Sequence, residues 1–179
     1  GLYTTHSNLL EKMTMNKLSN ELLKRSNDYG IDNVLIMIDG QGSLASSNQK
    51  ERSQAIDNHK KWIDFALKLG CETLRLNLSG EKNLDKWTDN SVKSLTTLSN
   101  YNKNINIVVE NHGGLSSNAS LLMKVINQVN LENCGTLPDF GNFCMSEGYG
   151  SLKENNCKDL YDPYFCLLYT SDAADDPTC

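Results

Sequence analysis

Little in this 179-residue sequence points to a membrane or to nucleic acid. No apolar run approaches the roughly 20 residues that a membrane-crossing helix needs. No stretch is a run of Lys or Arg, and the formal net charge is −5, so the electrostatic footprint of a nucleic-acid binder is missing. The opening, GLYTTHSNLLEKMTMNK, lacks both an initiator Met and the basic-then-apolar layout of a secretory leader. It reads as the interior of a longer chain. No GxGxxG fingerprint and no Walker A motif occur, and DGQG after the first apolar run is too short and polar to replace them.

The cysteines show neither CxxC spacing nor a disulfide-dense pattern. The C-terminal stretch CLLYTSDAADDPTC, Cys166 to Cys179, follows neither helical nor strand periodicity. Its first ten residues resemble the translation of a transposon-type sequencing adapter, a contaminant of metagenomic gene sequences. On that resemblance residues 166–179 are a non-native tail and residues 1–165 form one domain. Without Asp172, Asp175 and Asp176 the net charge becomes −5 + 3 = −2. Cys71, Cys134, Cys144 and Cys157 then remain, read as reduced, mostly buried thiols of a cytoplasmic protein.

What is present is an alternation. Four segments read as buried strands: NVLIMID (Asn33 to Asp39), TLRLNL (Thr73 to Leu78), INIVVE (Ile105 to Glu110) and GTLPDF (Gly135 to Phe140). The first and third are nearly continuous apolar runs, as in a parallel strand covered on both faces. The fourth is the weakest, because Pro138 sits inside it and Pro is poorly tolerated in a central ladder. Helical patterns fill the gaps, with apolar stripes at Leu18, Leu22 and Leu23, at Ile56, Ile63, Ala66 and Leu67, at Leu84, Val92, Leu95 and Leu98, and at Leu122, Val125, Ile126 and Val129. Ser and Asn residues before Leu121 read as caps of the last helix. The cycle repeats about every 30 to 40 residues, the size of a βα unit, and no Ser- or Pro-rich linker interrupts it. This is an α/β pattern with a parallel sheet, either doubly wound or part of a (β/α)8 barrel. A complete barrel needs about 250 residues, so four strands are half of one.

In barrels the reacting groups sit at the carboxyl ends of the strands. Here those ends read Asp39, Asn77, Glu110 and Asp139. Carboxylates beside a core cost free energy unless paired or bound to a metal. Glu110 and Asp139 end consecutive strands, so their oxygens can converge on one cation. Carboxylate oxygens suit Mg or Mn, with Zn or Co admitted if an imidazole joins. The plainer readings are a capping or salt-bridging acid for Glu110 and a turn-forming Asp before Gly141 for Asp139. His112 can hydrogen-bond a substrate hydroxyl or brace its own loop, and Gly113 and Gly114 allow a sharp turn after the strand. His59 falls on an apolar helix face and reads as structural. His6 reads as solvated, and Trp62 and Trp87 read as packing residues.

VVENHGGLSSN, TLPDFGNF and NHKKWIDFALKLGCETLRLN resemble the sugar phosphate isomerase/epimerase family, the xylose-isomerase-like TIM barrels. The likeness covers roughly Asp28 to Met145, and implies that these strands are the third to sixth of eight in a partial (β/α)8 barrel. It further implies one divalent metal ion (Mn, Mg, Co or Zn) held by Glu110 and Asp139, with a His and a second Glu from later strands. The implied activity is isomerisation or epimerisation of a sugar or sugar phosphate, with Glu110 as ligand and catalytic base and a homo-oligomer as a candidate state of the full-length protein. Where many members carry a substrate-binding His, this sequence has Asn142. Asn142, His112, Asn77 and Asp39 are the expected substrate contacts. Three rivals remain in view. HGG echoes the oxyanion loop of esterases, but no GxSxG elbow accompanies it. An apurinic-site endonuclease would need many histidines, and the chain has three. A non-catalytic carbohydrate-binding relative is the third.

Overall fold

Each helix begins where the sequence offers an oxygen to otherwise unpaired backbone amides. Thr14, Asn48, Asn83 and Asn118 accept from Lys17 N, Lys50 and Glu51 N, Lys86 N and Leu121 N respectively. The computed structural model describes residues 14–139. In chain order the elements are α1 (Met15–Tyr29), β1 (Leu35–Met37), α2 (Gln49–Lys68), β2 (Thr73–Leu76), α3 (Leu84–Tyr101), β3 (Asn106–Glu110), a 3-10 turn (Gly114–Ser117), α4 (Ala119–Val129) and β4 (Cys134–Leu137). The four strands among the described residues form one parallel sheet in the order β1-β2-β3-β4, with helices between them. This is part of a (β/α)8 barrel, as the family resemblance implies. No helix among the described residues is long and apolar enough to cross a membrane.

The pleat sorts side chains into two faces. Ile36, Ile38, Leu74, Leu76, Ile107 and Val109 are 0–2% exposed and join one core with Trp62, Ile63, Leu95, Leu98, Leu122 and Val125 from the helices. On the other face Met37, Arg75, Val108 and Gly135 lie in register. Two residues on, that same face carries Asp39, Asn77, Glu110 and Leu137, Glu110 and Leu137 being register partners. Asp139 follows Leu137 by two. Contacts among Arg75, Asp39, Asn77 and Glu110 gather three of the four polar candidates on this side of the sheet at its C-terminal end.

The strands are shorter than the sequence suggests. β1 spans three residues instead of seven, and β2 stops at Leu76. β4 begins at Cys134 and ends before Pro138, which has no N–H to continue the ladder. Asp39, Asn77 and Asp139 thus sit just beyond their strands, and only Glu110 is the last residue of one. Leu84, assigned to an apolar stripe, opens α3 and is 41% exposed. Ser116 and Ser117 lie in the 3-10 turn, and α4 is capped by Asn118 alone. Trp62 and Trp87 are packing residues, Trp62 meeting Phe65 edge-to-face at 5.3 Å. Phe140, Asn142, Cys144, Cys157, His6 and the tail lie outside the described residues.

Candidate active site at the strand ends

The loops after the strands are held from below. Leu44 and Ala45 of the first loop are sealed from solvent. Their carbonyls accept from Ser94 Oγ (2.6 Å) and Asn90 Nδ2 (3.2 Å) of α3, and Ala45 N–H donates to Ser79 O of the next loop at 2.9 Å. The loop after β3 is fixed by hydroxyls. Ser117 Oγ accepts from Gly113 N–H at 2.9 Å and Ser116 Oγ from His112 N–H at 3.2 Å. Gly113 and Gly114 take φ values of 82° and 58°, a left-handed pair that side chains other than glycine rarely adopt. The sharp turn expected after Glu110 is present.

These loops border two adjoining cavities that share Asn77, Ser79 and His112. The larger, about 610 Å³, is also lined by Asp39, Gln41, Ser43 and His59; the other, about 530 Å³, by Glu81, Lys82 and the Gly113–Gly114 turn. Both are of the size that takes a small ligand. His112 is exposed and faces both.

Beneath them lies a residue that sequence reasoning missed. Arg75, 3% exposed, spans two of the candidate carboxylates. Its Nη1 donates to Asp39 Oδ1 at 2.7 Å and to the Ile38 carbonyl at 3.3 Å, and its Nε lies 2.5 Å from Glu110 Oε2. The Nε–H is not aligned for a hydrogen bond, so the Glu110 contact is an ion pair only. Asn77 Nδ2 donates to the same Asp39 oxygen at 2.7 Å. Asp39 is thus bracketed by β2, and the strand alternation of Thr73, Arg75 and Asn77 was the available signal.

Glu110 is 6% exposed, and burial pushes its carboxyl above the ordinary carboxylate range. Arg75 and His112 oppose that rise, while Asp139 and Asp39 add to it. Asp39 and Glu110 flank one buried guanidinium, and Asp139 lies close enough to Glu110 to act on its charge. Asn111, also missed, is fully buried and pairs with the backbone of Asp139: Asp139 N–H donates to Oδ1 at 2.7 Å, and Nδ2 donates to the Asp139 carbonyl at 2.9 Å. Among the described residues no three His, Cys, Asp or Glu side chains form a group that could hold a metal ion. Glu110 and Asp139 nonetheless offer carboxylate oxygens, the donor type that a hard divalent cation takes.

His59 is 3% exposed, and its Nδ1–H donates to the Ala55 carbonyl at 2.7 Å, the satisfied structural role expected of it. Burial lowers its pKa from 6.5 to about 4, the Ala55 bond acting the other way. The unfolded chain then binds more protons than the folded one between those values, so stability rises with pH across that window. Acidifying from 6.5 to 4 should remove roughly 3 kcal/mol in urea unfolding. His59→Leu should flatten that slope; an unchanged slope would refute the assignment.

Comparison with known proteins follows the same lines. The family described as xylose isomerase-like TIM barrel matches residues 3–177. A D-tagatose 3-epimerase-like protein is 16% identical with a TM-score of 0.66, covering 82% of this chain and 56% of that one. The IOLI protein with a bound zinc atom is 16% identical with a TM-score of 0.62, covering 75% and 50%. An AP endonuclease of family 2 from Brucella melitensis is 14% identical with a TM-score of 0.56, covering 68% and 53%. This chain spans about half the length of these solved relatives. No curated protein is similar enough in sequence to match it. The chain belongs to the xylose isomerase-like TIM barrel family.

Proposed function

We propose that the full-length protein is a divalent-metal-dependent isomerase or epimerase of a sugar or sugar phosphate, acting by proton transfer next to a carbonyl. The observation that carries this reading is the cluster of Asp39, Asn77 and Glu110 around Arg75 at the strand ends, with Asp39 and Asn77 lining ligand-sized cavities. Kinship with an epimerase-like protein and with a zinc-binding one supports it. Glu110 and Asp139 would hold the cation, which when bound supplies Lewis-acid stabilisation of charge on the substrate's carbonyl and hydroxyl oxygens.

The chain's own groups do the rest. Proton abstraction next to a carbonyl needs a base fixed within hydrogen-bond reach of that carbon. Glu110 is the base: it is buried at a strand end, so its carboxylate cannot wander, and the Arg75 contact holds Oε2. His112 and Asn77 line both cavities and offer hydrogen bonds to sugar hydroxyls, and Asp39 lines the larger one. Asn142 is carried as a further substrate contact on family resemblance.

Metal removal tests the reading. Exhaustive chelation of the full-length protein should abolish epimerisation of ketohexoses or their phosphates, and Mn or Mg should restore it. Turnover that survives chelation would contradict the proposal. Cleavage of abasic DNA in place of sugar conversion would favour the hydrolase on the same barrel, and metal-independent sugar binding without turnover the non-catalytic relative.

A further inference from the structure

β3 and β4 pair as far as Glu110 and Leu137, and there the ladder meets Pro138, which offers no N–H. A strand that loses its ladder is free to diverge, yet Asp139 must stay beside Glu110 if both are to grip one ion. The side-chain amide of Asn111 takes over at that point. It accepts from Asp139 N–H at 2.7 Å and donates to Asp139 O at 2.9 Å, as another peptide group would, and is 0% exposed. Burying a primary amide is costly unless its donors and acceptors are met. Both bonds go to one backbone unit, so the residue following Glu110 in sequence grips the residue that carries the second carboxylate.

We propose that Asn111 is a positioning residue that sets the separation of Glu110 and Asp139, and through it the affinity for the divalent cation. The inference rests on the metal reading above. Outer-shell partners of this kind cost 10–100-fold in metal affinity when removed. Leu and Ser cannot replace it: Leu has neither function, and Ser is too short to bond both Asp139 groups at once. Gln keeps both amide functions but is longer by one methylene, so it moves Asp139 instead of releasing it.

The test is Mn(II) titration of the full-length protein followed by electron paramagnetic resonance, with thermal melts of each variant. Asn111→Ala should weaken Mn(II) binding about 10–100-fold with an unchanged circular dichroism spectrum. Asn111→Gln should also weaken it, and decides the matter if the alanine variant does not fold. Leu122→Ala, in the hydrophobic core near the start of α4, supplies the structural control: its melt should fall while Mn(II) affinity holds. Wild-type affinity in a folded Asn111 variant, or an equal loss in Leu122→Ala, would overturn the proposal. Glu110→Gln in the same titration separates the two readings. If the wild type does not bind Mn(II), or Glu110→Gln binds as well as wild type, the metal site and the role of Asn111 both fall. If Glu110→Gln loses the ion and Asn111→Ala does not, only Asn111 is refuted.

Discussion

Arg75→Met is expected to destabilise the protein by about 3–5 kcal/mol in urea unfolding, the range for removing one partner of a buried ion pair. The size follows from what remains. Arg75 meets Asp39 on one side and Glu110 on the other while only 3% exposed itself, so its loss takes an ion-pair partner from two carboxylates at once, although Asp39 keeps its bond from Asn77. Met fills much of the space but returns none of the charge. Arg75→Lys should recover only part of the loss, because a single ammonium cannot span both neighbours as a guanidinium does. Adding Glu110→Gln to Arg75→Met should restore part of the stability, since a buried charge that has lost its Arg75 partner is then gone. A cost below about 1 kcal/mol, or strict additivity in that cycle, would show that the guanidinium does not hold the two acids together.

Glu110→Gln alone should show the opposite pattern, with turnover reduced about 10²–10⁴-fold, the span for a positioned general base, and the fold retained. Gln is nearly isosteric and removes a charge that burial disfavours, so stability should change little or rise. Arg75 keeps its bonds to Asp39 and the Ile38 carbonyl in that variant. Steady-state turnover of the full-length protein at saturating Mn(II), which offsets weaker ion binding in the variant, is the measurement. A variant as active as wild type would remove Glu110 from the mechanism whatever its place in the fold.

Arg75 and Glu110 were not equally visible in the sequence. Glu110 stands out as a carboxylate closing an apolar run, and the Val and Ile content of that run identifies a covered parallel strand. The same logic found Asp39, Asn77 and Asp139, although Pro138 and the early end of β1 shifted the strand limits by one to three residues. Backbone pairing stops where a side chain or a proline diverts it, and that depends on neighbours distant in sequence. Arg75 shows the harder limit. A lone charge between Leu74 and Leu76 looks like a solvent-facing strand residue, and its two acids lie 36 and 35 positions away. Asn111 is harder still: an amide after a strand reads as loop, and its bonds reach 28 residues onward. The bracing of His112 and Gly113 by Ser116 and Ser117 was legible only as a run of small polar residues, and Ser117 was read as a helix cap.

The central claim is that Glu110 and Asp139 grip one cation, and crystals of the full-length protein soaked in Mn(II) would test it directly. The anomalous difference map should place one peak about 2.0–2.2 Å, the bonding distance for a carboxylate oxygen, from an oxygen of Glu110 and from one of Asp139. A map with the ion bound elsewhere, or with either carboxylate turned away from it, would contradict the account.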